Sequence, residues 1–74
     1  LDLVRKMLAQ AADYLTEAGL LVLEVGNSEW AMKQNFNTVD FHWLTFQKGG
    51  SGIFALTAEQ CRKYRDLFVK SVQA

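Results

Sequence analysis

Hydrophobic residues follow a helical period over the first 18 positions of the chain. Apolar side chains recur three and four positions apart from Leu1 to Leu15, and polar residues fill most of the positions between them. This spacing places the apolar side chains on one face of an α-helix. Gly19 follows, and glycine often ends a helix by taking a left-handed conformation. The pattern therefore predicts a helix from Leu1 to Ala18.

The pattern changes at Leu20 to Val25, where every residue except Glu24 is apolar. A short run of this kind favours a strand that is buried on both faces, usually beside parallel strands. No other segment of the sequence offers a parallel partner for it. Leu1 also opens a helical pattern with neither a methionine nor a capping residue before it. Both observations lead us to expect a piece of a larger protein.

Polar and glycine residues then separate shorter segments. Gly26 and Asn27 predict a turn, and Ser28 can cap a short helix that runs to about Phe36. Aromatic and branched residues at Phe41 to Phe46 predict a further strand.

A glycine-rich segment, residues 47–52, joins that strand to another at Ile53 to Leu56, which is typical of an antiparallel hairpin. The sequence Thr57-Ala58-Glu59-Gln60 predicts a capping box at the start of a last helix. The predicted order is helix, strand, helix, strand, strand, helix, and the predicted class is α/β.

Composition excludes some functions. The chain has 74 residues, of which 50% are hydrophobic, and its eight basic residues balance its eight acidic ones. A neutral chain gives no electrostatic reason to expect binding to nucleic acid or to an anionic membrane. The sequence has no apolar run of about 18 residues, so no membrane span is predicted. The single cysteine, Cys61, cannot form an internal disulfide, which favours a reduced, cytoplasmic protein.

Glu24 is the most unusual polar residue, because a carboxylate in an apolar strand is costly unless it is paired or protonated. Open α/β sheets bind ligands at the carboxyl ends of their parallel strands. Glu24, Gly26 and Asn27 are therefore candidates for lining a substrate pocket. The alternative is purely structural: Glu24 forms a salt bridge or hydrogen bond that orients the turn, and the other two residues shape it.

Other chemical signals are weak. His42 has no nucleophile or carboxylate at a catalytic spacing, and one histidine with one cysteine does not make a metal site. The segment Lys48 to Gly52 lacks the spacing of a phosphate-binding loop. We predict no catalytic, cofactor-binding or metal-binding residue in this chain.

Four segments together resemble a known family: Ala11 to Leu15 before Gly19, Glu24-Val25-Gly26-Asn27-Ser28, Phe41-His42-Trp43-Leu44-Thr45-Phe46, and Gly49 to Thr57. In this order they are similar to the C-terminal end of a bacterial protein-glutamine methyltransferase, in the branch that modifies protein three of the large ribosomal subunit. The resemblance implies a Rossmann-like class I methyltransferase, with residues 1–74 as the C-terminal part of its catalytic domain. It also implies a three-stranded mixed sheet in the order fifth, seventh, sixth strand, the last one inserted antiparallel.

By the same resemblance, the whole enzyme uses S-adenosylmethionine to methylate a glutamine side-chain amide of a large-subunit ribosomal protein. The family's glycine-rich cofactor loop and its Asn-Pro-Pro-Tyr motif are absent from this sequence, which has no proline. We therefore expect the chain alone to be inactive and to bind no cofactor, with the N-terminal part of the enzyme as its partner. The alternative is a small α/β interaction module without enzymatic activity. Under either hypothesis we expect self-association through an exposed edge at Leu20 to Val25.

Overall fold

The computed structural model describes residues 1–45 and 51–73. Its elements follow the predicted order, except that the last helix is divided in two. The helices are α1 (Asp2–Tyr14), α2 (Glu29–Asn35), α3 (Ala58–Lys63) and α4 (Arg65–Gln73), and the strands are β1 (Leu20–Glu24), β2 (His42–Trp43) and β3 (Ile53–Thr57). A 3-10 turn, Gly26–Ser28, precedes α2. The predicted α/β class is confirmed.

The chain forms two compact units. The first consists of Leu1–Leu21 and Leu56–Ala74, and the second of Val22–Ala55. In the first unit, α1 packs against α3 and α4. The buried apolar residues of this unit are Leu8, Ala11, Leu56, Ala58, Cys61 and Phe68. At its surface, an Arg65 guanidinium nitrogen lies 3.1 Å from a carboxylate oxygen of Asp13.

Helix α1 ends four residues earlier than predicted. Leu15 already has an extended backbone, and the Gly19 N–H closes a turn by donating to the Thr16 carbonyl at 2.9 Å. The expectation that Gly19 takes a left-handed conformation is wrong, because only Gly26 and Gly52 have a positive φ among the described residues. A side chain at Gly19 would instead approach the Thr16 carbonyl oxygen at 3.0 Å. A lack of space is therefore what favours glycine at this position.

The capping box at the start of α3 is confirmed. The Gln60 N–H donates to the Thr57 hydroxyl at 3.1 Å, and the Thr57 N–H donates to the Gln60 side-chain oxygen at 3.0 Å. Each partner satisfies a backbone donor that the first turn of a helix would leave unpaired.

The three strands form one sheet in the order β1-β3-β2. This order agrees with the one implied by the resemblance. The predicted hairpin is also confirmed, since β2 pairs antiparallel with β3, with His42 opposite Ala55 and Trp43 opposite Phe54.

The expectation of a mixed sheet is wrong, because β1 also runs antiparallel to β3. Near one end of this pair the Ala58 N–H donates to the Gly19 carbonyl, and near the other the Val25 N–H donates to the Gly52 carbonyl. Residue numbers therefore rise along one strand as they fall along the other. A mixed sheet would need a parallel neighbour for β1, and the described part of the chain contains none.

Strand β1 lies at the edge of the sheet and is not buried on either face. Leu20 is 58% exposed and Val22 is 50% exposed, and their neighbours along the strand are half-buried. An edge strand has backbone N–H and C=O groups without a strand partner on one side. The apolar side chains of β1 thus remain exposed or half-buried within this chain.

In the second unit, aromatic rings surround Phe54. The Phe41 ring centroid lies 4.6 Å from that of Phe54, and the Trp43 centroid lies 5.3 Å from it. Phe36 meets Phe41 edge-on at 6.2 Å. Such tilted and edge-to-face pairs are the favoured geometries of aromatic side chains. Phe36, Phe41 and Phe54 therefore form a buried aromatic core, whereas Trp30 of the same unit is 72% exposed.

Within the described part of the strand predicted at Phe41 to Phe46, β2 covers His42–Trp43, and the Leu44 N–H also donates to the Ile53 carbonyl at 2.8 Å. Phe46 and residues 47–50 of the glycine-rich segment lie outside the described residues.

Candidate functional site

The turn that follows β1 is tied to Gly52 by backbone hydrogen bonds. The N–H groups of Val25 and Gly26 both donate to the Gly52 carbonyl oxygen, at 2.6 and 3.3 Å. The Ser28 N–H closes the turn by donating to the Val25 carbonyl at 2.9 Å. Gly26 has φ +53°, a left-handed conformation that glycine adopts without steric cost. The turn therefore has a defined shape at the carboxyl end of β1.

Gly52 is buried and has φ +78°. A Cβ built on it would collide with the Gly26 carbonyl oxygen and would lie 2.6 Å from the Gly26 nitrogen. Only glycine fits there, because any side chain would occupy the space of the neighbouring backbone. Two glycines thus let the start of β3 and the turn after β1 come into direct backbone contact.

Glu29 connects this contact to helix α2. One carboxylate oxygen accepts a hydrogen bond from the Gly52 N–H at 2.8 Å, and the other lies 2.8 Å from the Lys33 ammonium. Lys33 and the Gly52 N–H together hold the pKa of the Glu29 carboxyl below its ordinary value of 4.5. The Lys33 nitrogen also lies 5.3 Å from the centroid of the Trp43 ring, within the range of a cation–π contact. We call Glu29, Lys33, Trp43 and Gly52 the Glu29 cluster.

The three predicted pocket residues have different surroundings. Gly26 and Asn27 lie in the turn beside Gly52, and the Asn27 side chain is exposed. Glu24 ends β1, and its side chain is exposed rather than buried, with no ion pair to another described residue. The premise of a buried carboxylate is therefore wrong, because alternate residues of this edge strand face outward. The Gly26 N–H is bonded to Gly52 and Asn27 follows in the same turn, whereas the Glu24 side chain is exposed at the end of β1.

Sequence reasoning missed Glu29 and Lys33. Their spacing of four residues is the usual one for an ion pair on a helix and was a local signal. The bond from Glu29 to Gly52, however, spans 23 positions and has no counterpart in the local pattern.

Residues that could support other chemistry do not form a site. His42 is an exposed strand residue, as expected. Burial raises the pKa of the Cys61 thiol, which keeps it protonated and a poor nucleophile. Within residues 1–45 and 51–73, no group of three histidine, cysteine or acidic residues is placed to hold a metal ion. Over the same ranges, no helix has the length and apolar character needed to cross a bilayer.

Surface clefts in the first unit include two that the described residues line. One of about 240 Å³ is lined by Met7, Gln10, Ala11, Tyr14, Leu15 and Leu21, and one of about 250 Å³ by Asp2, Arg5, Lys6, Ser71 and Val72. Nucleoside cofactors are typically held by a glycine-rich turn and by a carboxylate on the ribose. The first cleft has no acidic residue and neither is lined by glycine, so neither of these clefts fits S-adenosylmethionine.

Comparison with known proteins identifies relatives over almost the whole chain. A ribosomal protein uL3 glutamine methyltransferase of Francisella tularensis is 41% identical over 73 residues, which are 99% of this chain and 23% of that protein. A protein of the same name from Xanthomonas campestris is 46% identical over 63 residues, which are 85% of this chain and 20% of that protein. The matched region is the C-terminal part of both relatives.

The chain is a homologue of the C-terminal part of these methyltransferases. The resemblance inferred from its motifs is thereby confirmed, and both relatives carry the name of the branch inferred from those motifs. The chain spans less than a quarter of the length of the curated relatives it matches. No protein-family model matches the chain, and no solved structure matches it.

Proposed function

We propose that this chain is the C-terminal part of an enzyme that methylates a glutamine side-chain amide of ribosomal protein uL3. The observation that carries the proposal is 41–46% identity, over nearly the whole chain, to two proteins named for that activity. S-adenosylmethionine supplies the methyl group in the proposed reaction, as the resemblance to class I methyltransferases implies. We assign its binding to parts of the enzyme beyond these 74 residues, since neither cleft described above fits it.

An amide nitrogen is a poor nucleophile, so the proposed reaction depends on orienting the glutamine closely against the methyl group. The chain lacks the family's substrate motif, which contains two prolines, and so its part is to shape the surroundings of the substrate. The turn at Gly26 and Asn27 is the region best suited to this, because its backbone is held in place and the Asn27 side chain is exposed. Glu24 reaches the same end of β1 from the strand and remains a candidate for the pocket wall.

The surface of the first unit supports an extended protein around it. Leu3 and Tyr14 on α1 are 71% and 80% exposed, and Leu20 of β1 is also exposed. Large apolar side chains exposed in this number are typical of a surface that is covered by protein. In the proposed enzyme, the N-terminal part covers these residues and the free edge of β1. The cytoplasm is the expected compartment, because the proposed substrate is a ribosomal protein.

The direct test is methyl transfer by the full-length protein to purified uL3, with an isotopically labelled methyl donor and mass spectrometry of the modified peptide. We expect one labelled glutamine, and no label when that glutamine of the substrate is replaced by alanine. A folded full-length protein that leaves uL3 unlabelled would refute the proposal. The 74-residue chain alone should neither transfer a methyl group nor bind the donor in calorimetry.

The role of Glu24 can be tested in the same assay. Glu24→Gln should lower turnover if this carboxylate lines the pocket, whereas Glu17→Gln is a matched control at an exposed acidic residue before β1. Equal rates for the two variants would remove Glu24 from the proposed pocket.

A second candidate function is a small interaction module that self-associates through β1. The observation that favours it is the half-exposed apolar edge strand, since such edges pair readily with another chain. Light scattering of the 74-residue chain at high concentration should then detect dimers or larger species. A monomer would contradict this candidate, whereas methylation of uL3 by the full-length protein would exclude it as the main function.

A further inference from the structure

We propose that Glu29 is a positioning residue that holds the backbone of Gly52 against the turn that carries Asn27. The inference deepens the function proposed above and rests on it, because it gives the Asn27 turn a task in substrate binding. It starts from the Glu29 cluster, which the sequence analysis did not assign.

Both backbone polar groups of Gly52 form hydrogen bonds. Its carbonyl accepts from the N–H groups of Val25 and Gly26, and its own N–H donates to the Glu29 carboxylate at 2.8 Å. Both backbone groups of this buried residue are therefore bonded to the segment 25–29. A buried N–H that loses its acceptor is costly, and a bond to a carboxylate is stronger than one to a neutral acceptor. The Glu29 side chain is thus the specific acceptor that completes this contact.

The Glu29 carboxylate has two partners. Its two carboxylate oxygens have different partners, Gly52 on one side and Lys33 on the other. Lys33 in turn lies 5.3 Å from the centre of the Trp43 ring. The Glu29 side chain is 29% exposed, so it sits partly sheltered rather than free in solvent. The bond to Gly52 and the ion pair with Lys33 therefore use different oxygens of the carboxylate and can be removed separately.

Asn27 lies in the turn between Gly26 and Glu29. The turn begins at Gly26, whose N–H binds the Gly52 carbonyl, and it leads into Glu29, whose side chain binds the Gly52 N–H. Asn27 lies between these two anchors and its side chain is exposed. Releasing Glu29 leaves the turn attached at one end only. A site that aligns a weak nucleophile is sensitive to displacements of this kind, since about 1 Å can change a rate by about 100-fold.

The test compares three variants of the full-length protein. Glu29→Gln keeps an oxygen acceptor for the Gly52 N–H, whereas Glu29→Met has a similar size and no oxygen. Lys33→Met removes the ion pair but leaves the bond to Gly52. Hydrogen exchange at the Gly52 amide, followed by NMR of protein labelled with ¹⁵N-glycine, reports the bond directly. We expect protection in the unmodified protein, in Glu29→Gln and in Lys33→Met, and faster exchange in Glu29→Met.

The same variants are then compared for kcat/KM with uL3 as the substrate. We expect Glu29→Met to lower kcat/KM about 10-fold or more, and Glu29→Gln to recover most of that loss. If Glu29→Gln recovers kcat/KM, the hydrogen bond to Gly52 and not the negative charge of Glu29 is what the activity requires. A purely structural effect of the Glu29–Lys33 ion pair would instead lower activity in Glu29→Gln and Lys33→Met alike, and would overturn the inference.

The outcomes separate the inference from the function on which it rests. Unchanged Gly52 exchange in Glu29→Met overturns the inference, whatever the activity. Faster Gly52 exchange in Glu29→Met with an unchanged kcat/KM overturns the inference as well. In both cases the proposed function is retained as long as the unmodified protein transfers the methyl group. Absence of methyl transfer by the unmodified protein overturns the proposed function and this inference together.

Discussion

Substitution of Gly52 by alanine should destabilise the chain much more than the same substitution at Gly26. Both glycines have a positive φ, so alanine at either position carries the cost of a left-handed conformation, about 1–2 kcal/mol. The two positions differ in the space around them. A Cβ on Gly26 meets no atom within 4 Å, whereas one on Gly52 meets the Gly26 backbone at 2.6–2.7 Å and closer.

The additional cost at Gly52 follows from that collision. Backbone atoms cannot rotate away as a flexible side chain can, so the two segments must separate and strain their hydrogen bonds. Overpacking of this kind costs about 1–3 kcal/mol. The loss is therefore about 1–2 kcal/mol for Gly26→Ala and about 2–5 kcal/mol for Gly52→Ala. A chain of this length has a total stability of only about 4–11 kcal/mol, so the second loss is a large fraction of it.

The measurement is urea unfolding of the 74-residue chain and its variants, followed by tryptophan fluorescence, with the free energies compared by linear extrapolation. Asparagine provides a matched control, because it tolerates a left-handed backbone better than alanine does. Gly26→Asn should recover part of the loss seen in Gly26→Ala. Gly52→Asn should recover little, since the collision comes from the Cβ that both side chains have. Equal losses for Gly26→Ala and Gly52→Ala would refute the proposed backbone contact.

Three further predictions concern other parts of the chain. Thr57→Ala removes the acceptor of the Gln60 N–H and should lower the free energy of unfolding by about 1 kcal/mol. Thr57→Ser keeps a hydroxyl acceptor and should retain most of the stability. Thermal unfolding of the two variants, followed by circular dichroism, measures the difference. The carboxyl of Glu29 has a lower pKa in the folded state than in the unfolded one, so its stabilising contribution is complete above pH 4.5 and disappears as the pH falls through the folded-state pKa. The urea midpoint of the unmodified chain should therefore decrease more on acidification below pH 4.5 than that of Glu29→Gln, and parallel decreases would contradict this reasoning. The Cys61 thiol is buried and its pKa is raised, so a thiol reagent should react with it only slowly until urea unfolds the chain, and rapid reaction without urea would contradict its burial.

Local signals in the sequence determined most of the elements and their order. The capping box at Thr57 and Gln60 was predictable because its partners lie three residues apart and each satisfies a donor of the same helix turn. The hairpin of β2 and β3 was predictable because a glycine-rich segment joins two runs of strand-forming residues. The turn at Gly26 and Asn27 was equally local. The relationship to the methyltransferases also came from linear motifs, since these persist in homologues regardless of how they are packed.

The position of each element was decided by tertiary structure. Leu20 to Val25 has the composition of a central strand, yet β1 lies at an edge, because burial depends on which neighbours are present and not on the strand itself. The antiparallel pairing of β1 with β3, the need for glycine at position 52 and the bond from Glu29 to Gly52 all join segments more than 20 residues apart. Contacts at such separations leave no periodic signal, since they depend on how the chain folds back on itself. The turn at Gly26 and Asn27 was thus visible in the sequence, whereas the bond from Glu29 to Gly52 was visible only in the folded chain.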